Sequence, residues 1–283
     1  IKRMIENKKL IVKDFFLTNE EFELVKDLPT KMLNTSPKPS KKNLSKYYAS
    51  SKYISHQESS DTFFSKIYFF ARALALWPKS LLISKHFHKP KSALDIGSGS
   101  GSFVRHLSKK KWNVKGYEPS NKAREFAEKN NVAHVSSLKD LSPLSYSLIT
   151  FWHSLEHVYS MEETLKKSIK ALEENGIIMI ACPNYTSWDA KYYGSAWAAY
   201  DVPRHLRHFA PESLKRILDP MGMKQLSQHP LLFDALYISM LSEKNLKSKL
   251  WFVKGLFFGL YSNVRGFFYK NYSSQIYIFK KTI

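Results

Sequence analysis

Short apolar runs alternate with longer amphipathic segments throughout the region 92–283. The apolar runs predict seven strands, and the amphipathic segments predict four helices between them. Because this alternation is typical of a parallel sheet with helices on both faces, the sequence predicts an α/β fold with a doubly wound sheet. The predicted strands lie near residues 92–96, 113–118, 132–135, 147–152, 176–182, 224–230 and 274–280, and the predicted helices near 102–110, 120–130, 161–174 and 211–219.

Three other regions have a different pattern. Residues 1–45 mix short apolar pieces with lysines, which predicts a helical or irregular N-terminal extension. Residues 46–91 contain a stretch near 61–84 that is rich in Phe, Ile, Leu and Ala, which predicts a helical lid before the main domain at 92–283. An aromatic insertion near 232–270 precedes the last strand. We expect its aromatic residues to pack onto the domain; the alternative is a helix that contacts a membrane surface or forms a dimer.

A glycine-rich turn follows the first predicted strand of the main domain. Gly97, Gly99 and Gly101 give the spacing G-x-G-x-G, and Asp95 stands two residues before the first glycine. Glycines let the backbone turn tightly and approach a ligand closely. The spacing differs from the G-x-G-x-x-G of dinucleotide-binding folds. Glu118 ends the second strand, 21 residues after Gly97, where an acid can accept hydrogen bonds from both hydroxyls of a ribose. The pattern predicts a nucleoside-binding crevice.

These residues resemble the first motif of the Rossmann-like (class I) methyltransferases that use S-adenosyl-L-methionine (SAM). The string W-H-x-L-E-H-V at 152–158 and the string D-V-P-R-H-L-x-H-F at 201–209 look like those of an uncharacterised bacterial subgroup of this family. The resemblance spans about residues 45–283. It implies a seven-stranded, mostly parallel sheet with an antiparallel last strand, SAM as cofactor and S-adenosyl-L-homocysteine as product.

The resemblance also carries binding roles onto single positions. Trp152 and His153 lie where the family contacts the methionine part of the cofactor, and the turn at Ser137 and Leu138 lies where it contacts adenine. The family often has an acid near that turn, so adenine recognition here is expected to rest on backbone groups and Leu138. The implied cofactor-binding residues are Asp95, Gly97, Ser98, Gly99, Gly101, Glu118, Pro119, Ser137, Leu138, Trp152 and His153.

The loop after the fifth predicted strand is dense in Trp, Tyr, His and Arg, although loops are normally small and polar. Aromatic side chains can form the walls of a substrate pocket, and His can transfer protons near neutral pH. An oxygen nucleophile would need a base. We expect His153 to serve first, then His205 or His208, then Asp201.

The sequence does not predict a metal site. Relatives of the subgroup often begin with a small zinc ribbon, but Asp27 and Thr30 stand where its thiolates would be. Without thiolates this segment cannot hold that metal. His153 and His157 are four residues apart and could face the same side of a helix, which is the spacing of some zinc ligands, but a third ligand is not evident.

The chain is strongly basic, with 44 Lys and Arg against 24 Asp and Glu and a net charge of +20. The excess lies in the flanks: residues 1–91 carry 18 basic and 8 acidic residues, and residues 231–283 carry 8 and 2. Residues 92–230 are nearly balanced, with 18 and 14. The single cysteine, Cys182, excludes an intrachain disulfide, so a cytoplasmic location is expected, with membrane association left open.

Three functions fit these observations. We expect a SAM-dependent methyltransferase that acts on oxygen or nitrogen of a small-molecule, lipid-linked or glycan acceptor, because the main domain is balanced in charge and the pocket loop is aromatic. An RNA methyltransferase could use the basic flanks, but the chain lacks the N/D-P-P-Y/F motif for attack by a base amino group. A non-catalytic SAM-binding protein is the third. Peripheral membrane contact and the oligomeric state stay open.

Overall fold

The computed structural model describes residues 10–48 and 76–282. These residues form two compact units, and each unit is assembled from separate stretches of the chain. The first unit contains the described residues up to 48, together with 182–217 and 229–275. The second unit contains residues 76–181, 218–228 and 276–282. Most of the predicted lid, including residues 49–75, lies outside the described residues, whereas residues 76–86 are helical.

The described ranges contain ten strands. They are β1 (Leu10–Lys13), β2 (Glu21–Lys26), β3 (Leu33–Ser36), β4 (Ser92–Ile96), β5 (Asn113–Tyr117), β6 (Tyr146–Trp152), β7 (Leu172–Pro183), β8 (Arg207–His208), β9 (Met223–Pro230) and β10 (Ser274–Lys281). The α-helices are α1 (Lys41–Leu44), α2 (Ser102–Lys109), α3 (Asn121–Lys129), α4 (Met161–Ala171), α5 (Trp188–Tyr193), α6 (Pro211–Leu218), α7 (Leu232–Asn245) and α8 (Trp251–Tyr269).

The N-terminal extension is a sheet, so the prediction of a helical or irregular segment is wrong. Strands β1, β2, β3 and β8 pair in that order, and each neighbouring pair is antiparallel. In β2 the side chains alternate, so Phe22 and Leu24 are buried while Glu21 and Glu23 face outward. Hydrophobic burial with Trp197 of the same unit stabilises this small sheet.

The second unit is built on a six-stranded sheet with the order β5-β4-β6-β7-β10-β9. Strand β4 is parallel to β5 and β6, and β6 is parallel to β7. Strand β10 is antiparallel to β9, because Leu231 N–H donates to the carbonyl of Ser274 at one end and Thr282 N–H donates to that of Gly222 at the other. The α/β class and the reversed last strand agree with the sequence.

The segment near 132–135 does not form the strand that the sequence predicts, so the sheet of the second unit has six strands and not seven. This segment forms one parallel bridge, between His134 and Gly116, and does not continue as a strand. Gly116 N–H donates to the carbonyl of Ala133, and Val135 N–H donates back to the carbonyl of Gly116. A polar turn follows at once, in which the Ser137 carbonyl accepts from Asp140 N–H, so the pairing ends there.

The predicted helices of the main domain are present with small shifts. Helices α2, α3 and α6 end within one residue of their predicted ends. Helix α4 ends at Ala171 and not at 174, because Leu172 is already extended, with φ −78° and ψ 133°, and begins β7. Leu172 is fully buried in the sheet, and this burial favours the strand over another helical residue.

The aromatic insertion forms two antiparallel helices, α7 and α8. The expectation that its aromatic side chains pack onto the domain is only partly right. The rings of Phe258 and Tyr192 lie 4.4 Å apart, and those of Tyr261 and Trp188 lie 4.6 Å apart, all within the first unit. Other large side chains of α8 face outward, and Phe268 is 72% exposed. No helix among the described residues has the length and apolar character needed to cross a membrane.

Candidate active site

The glycine turn after β4 leaves open space beside its backbone. Gly99 has φ +53°, and a Cβ added there would meet no atom within 4 Å. Gly97 also has a positive φ, but a Cβ there would lie 2.3 Å from Cβ of Ser154. Gly97 is therefore required by packing, whereas at Gly99 the missing side chain opens room for a ligand to approach the backbone.

Glu118 follows β5 and faces the same turn. Its Oε2 accepts from the backbone N–H of Gly99 at 2.8 Å, and its Oε1 accepts from that of Ser120 at 2.9 Å. Burial raises the pKa of the Glu118 carboxyl, and the two N–H donors and the charge of Arg124 offset this only in part. Each carboxylate oxygen accepts one backbone hydrogen bond and has a further lone-pair direction available to a ligand.

The end of β6 brings three consecutive side chains to the second unit's sheet edge. Ser154 Oγ donates to the carbonyl of Ile96 at 2.5 Å, which fixes this segment against the end of β4. His153 has φ +52°, a left-handed conformation that is strained for a residue with a Cβ. Its Nδ1 lies 3.6 Å from Oε1 of the buried Glu156, and about a third of its side chain (35%) is exposed.

Trp152 carries a polar atom that the described residues leave without a partner. Its Nε1 is buried and has no hydrogen-bond acceptor within the described part of the chain. Its ring packs edge-on against Phe103 at 5.2 Å, and Nζ of Lys79 lies 4.3 Å from the ring centre. Buried donors are normally paired, so this indole N–H is available to an acceptor outside the described residues.

Asp95 and Ser98 lie beneath the crevice and contact the sheet. Asp95 is buried, and its Oδ1 accepts from Thr150 Oγ1 at 2.7 Å, which ties β4 to β6. Ser98 is also buried, and its Oγ lies 3.3 Å from Nε2 of His134. Burial lowers the pKa of His134, so its imidazole is neutral near pH 7.

The predicted adenine turn has its own local hydrogen bonds. Ser137 Oγ accepts from the N–H of Lys139 at 3.0 Å, while Leu138 is half-buried. Pro119 is exposed. Together with Glu118 and the glycine turn, these residues belong to the second unit, as do Trp152 and His153. The described structure therefore places all eleven predicted cofactor residues in one compact unit.

The other predicted catalytic residues belong to the first unit, where they have structural partners. Asp201 Oδ1 accepts from Arg204 at 2.7 Å, and the buried Arg204 also donates to Asp14. Burial opposes ionisation of Asp14, but the hydrogen bonds and charge of Arg204 outweigh it and lower the pKa of Asp14. His208 is buried, with Nε2 3.1 Å from Thr35 Oγ1, and His205 Nδ1 lies 2.8 Å from the Ala199 carbonyl.

Three contributors were missed by the sequence reasoning. Thr150 is a hydroxyl inside an otherwise apolar strand, and that contrast could have identified it as the partner of Asp95. Ser154 lies inside the W-H-x-L-E-H-V string, so its bond to the end of β4 was available as a hypothesis. No sequence signal distinguishes Lys79, above the Trp152 ring, from the other lysines.

A family model described as a methyltransferase domain matches residues 68–228, which is more than half of the chain. The chain belongs to this family. The methyltransferase uses SAM as its cofactor. The residues present fit that group, because the backbone at Gly99 has free space beside it and Nε1 of Trp152 has no acceptor among the described residues. Among curated proteins it is 24% identical over 172 residues to a ubiquinone biosynthesis O-methyltransferase of Idiomarina loihiensis, covering 55% of this chain and 71% of that one.

Solved structures share the fold of the methyltransferase. Magnesium protoporphyrin IX methyltransferase from Synechocystis PCC 6803 matches with a TM-score of 0.57 at 12% identity, covering 86% of this chain and 100% of that chain. A 1,6-didemethyltoxoflavin-N1-methyltransferase from Burkholderia thailandensis matches with a TM-score of 0.53 at 12% identity, covering 95% and 98%. At 12% identity these matches show that the α/β fold is shared.

Proposed function

We propose that this methyltransferase transfers the methyl group of SAM to an oxygen or nitrogen atom of a small-molecule acceptor, free or linked to a lipid or glycan. We infer the position of the cofactor from the Glu118 carboxylate, which two backbone N–H groups orient at the end of β5. In the proposed complex Glu118 accepts from both ribose hydroxyls. The turn at Gly97–Gly101 lies along the ligand, Ser137 and Leu138 border adenine, and Trp152 meets the methionine end.

Bound SAM supplies a methyl group that its sulfonium already activates. The protein therefore contributes alignment of the acceptor and exclusion of water rather than activation of the donor. His153 is placed for a further task, because it lies directly after Trp152 and a buried carboxylate, that of Glu156, lies 3.6 Å from its Nδ1. In this proposal Nε2 of His153 accepts a proton from an acceptor hydroxyl, and the nearby Glu156 carboxylate stabilises the positive charge that forms.

The functions of similar proteins support a small acceptor. The curated relative is an O-methyltransferase of ubiquinone biosynthesis, and the two structural neighbours methylate a porphyrin and a toxoflavin precursor. Of the aromatic residues that follow β7, Tyr193, Trp197 and Tyr200 are buried in the core of the first unit, so the proposal does not depend on them. His205, His208 and Asp201 rank below His153 as the base, because they belong to the first unit, whereas His153 belongs to the same unit as the predicted cofactor residues.

Methyl transfer from tritiated SAM tests the proposal. Purified full-length protein is incubated with a panel of phenols, catechols and amines, and in parallel with total RNA. Transfer of label to a member of the small-molecule panel is the expected result. Label in acid-precipitable RNA alone contradicts the acceptor class. SAM binding without transfer to any acceptor in either arm contradicts catalysis and favours the binding-protein alternative.

The role of His153 has a separate test with a matched control. We expect His153→Ala to lower turnover at saturating SAM at least 100-fold with an oxygen acceptor, because general-base catalysis contributes about 10²- to 10⁴-fold. SAM affinity, measured by calorimetry, should change less than threefold. His88→Ala, which removes an exposed imidazole of the same unit, should leave both quantities unchanged. Wild-type turnover in His153→Ala excludes this residue as the base.

A further inference from the structure

Helix α8 has its small residues on the inside and its large apolar residues on the outside. Gly255, Gly259 and Gly266 are buried, and a Cβ at Gly255 would lie 2.5 Å from Cα of Met240 on α7. A Cβ at Gly259 would lie 2.7 Å from Cα of Leu236. At Gly255 and Gly259 the two helices therefore meet backbone to backbone, and these positions have no room for a larger side chain. This is the reverse of the usual pattern for a surface helix.

Polar contacts fix that orientation. Ser262, which is on the inner side of α8 and fully buried, donates to Oδ1 of the buried Asp189 at 2.7 Å. The other carboxylate oxygen of Asp189 accepts from Trp197 Nε1 at 2.7 Å and from Ser273 Oγ at 2.6 Å. Because the buried Asp189 would lose its hydrogen bond from Ser262 if α8 turned about its axis, the large apolar side chains are held outward.

The outward side chains form one continuous stripe. They recur every three or four residues, which on an α-helix places them within an arc of about 120°. All of them are more than half exposed, and two adjacent ones, Phe267 and Phe268, are 62% and 72% exposed. We name this stripe the apolar face; it consists of Leu250, Val253, Phe257, Leu260, Val264, Phe267 and Phe268.

The charged residues of α8 and of its flanking segments are all basic. From Lys244 to the end of the sequence shown, Lys244 included, eight residues are basic and none is acidic. Lys254 and Arg265 border the stripe on the helix itself, and Lys249 and Lys270 stand at its two ends. Single exposed apolar residues are ordinary, but a contiguous stripe with a basic border marks an interaction surface.

We propose that the apolar face docks the protein onto an anionic lipid bilayer, with α8 lying in the plane of the interface. An interfacial helix presents Phe and Leu to the acyl boundary and Lys or Arg to the headgroups, which is the distribution found here. A second copy of the chain fits less well. In a symmetric dimer the basic border of one copy would meet the basic border of the other, and like charges repel.

Both parts of the surface should contribute to partitioning. Each basic side chain near an anionic leaflet strengthens binding about fivefold. The apolar side chains add a larger share, because each one leaves water when the helix enters the interface. Removing three phenyl rings should therefore weaken binding at least 20-fold, and diluting the anionic lipid or raising the salt should weaken it through the lysines.

Co-sedimentation with vesicles tests the proposal on the full chain. The vesicles contain phosphatidylcholine with 30% phosphatidylserine, or phosphatidylcholine alone. We expect the wild-type protein to bind the anionic vesicles, and the variant Phe257→Ser/Phe267→Ser/Phe268→Ser to lose at least 20-fold in partition coefficient. The matched control is Leu28→Ser/Leu144→Ser, which removes exposed apolar side chains elsewhere and should bind as the wild type does. Equal SAM affinity in all three proteins verifies folding.

A fluorescent reporter identifies the occupant. Cys182 is fully buried, so a cysteine introduced by Leu260→Cys is the accessible thiol for an environment-sensitive dye. We expect water-like emission from the free protein at all concentrations and a blue shift with anionic vesicles. Blue emission without vesicles overturns the proposal: if it depends on concentration, a second copy covers the face, and if it does not, another segment of the chain does. Wild-type protein that stays in the supernatant with anionic vesicles also overturns it.

Discussion

Replacing Glu118 by alanine removes the group that the proposed cofactor complex depends on most. In the free protein its two carboxylate oxygens each accept one backbone N–H, from Gly99 and from Ser120. Two hydrogen bonds from ribose hydroxyls to this charged acceptor would contribute about 3–6 kcal/mol gross, at about 1.5–3 kcal/mol each. Water that enters the variant crevice recovers part of that, so we expect the dissociation constant for SAM to rise at least tenfold, about 1.4 kcal/mol.

Isothermal titration calorimetry with SAM measures this change. Glu118→Gln is the second variant, because it keeps an acceptor for one of the two backbone donors and so protects the loop. Its amide nitrogen cannot accept a hydrogen bond, and affinity should still fall about tenfold or more. Glu125→Ala, an exposed carboxylate on α3, is the matched control and should bind as the wild type does. Wild-type affinity in both Glu118 variants would refute the placement of the ribose.

The pH dependence of the same titration has a defined sign. Burial raises the pKa of Glu118, and binding requires its ionised form, so SAM affinity should fall on acidification at a pH above that of an ordinary glutamate. The folding stability of the protein without SAM has the opposite pH dependence. The contribution of Glu118 to stability is present below the pKa of the unfolded chain and is lost as the pH rises through the raised pKa. In Glu118→Gln both dependences should disappear.

Three other predictions concern the glycine turn and the buried ionisable residues Arg204 and His134. Gly99→Ala should fold and lose SAM affinity at least tenfold, whereas Gly97→Ala should lower the melting temperature further, because both positions have a positive φ but only the Cβ at Gly97 also meets another residue; calorimetry and thermal melts separate the two. Arg204→Met leaves the buried carboxylate of Asp14 without its ion-pair partner and should cost about 3–5 kcal/mol in urea unfolding, while Arg216→Met breaks an exposed pair and should cost less than about 1 kcal/mol. Burial lowers the pKa of His134, so its contribution to stability is lost as the pH falls through that pKa. In His134→Gln the melting temperature should therefore depend less on pH below 7 than it does in the wild type.

The crevice was accessible from the sequence because local signals agree there. A buried strand, a glycine turn and an acid at the end of the next strand each have a short-range pattern, and the structure has all three. The antiparallel β10 was predicted only through family resemblance, since no local pattern gives the direction of a strand. The segment near 132–135 has strand-like residues but a polar turn directly after it, and it makes a single bridge.

The N-terminal sheet and helix α8 were less accessible, for different physical reasons. The alternation of Phe22 and Leu24 with glutamates is a strand signal, but four- to six-residue strands among lysines are easily taken for irregular chain. Helix α8 is apolar on nearly all sides, so hydrophobic periodicity cannot tell which side is buried. The small residues Gly255 and Gly259 decide it, and their effect depends on α7, which approaches at 2.5–2.7 Å from their hypothetical Cβ atoms.

The place of β10 between β7 and β9 has a consequence for the nascent chain. The ribosome releases β9 first, but β9 cannot join the sheet until β10 arrives, about fifty residues later. The edge of β7 stays uncovered from its own synthesis until β10 arrives, more than ninety residues later, which at about 5–20 residues per second is roughly 5–20 s. During that interval an apolar strand containing Ile178 and Ile180 is open to pairing with another chain, so chaperone binding there would protect newly made protein from aggregation.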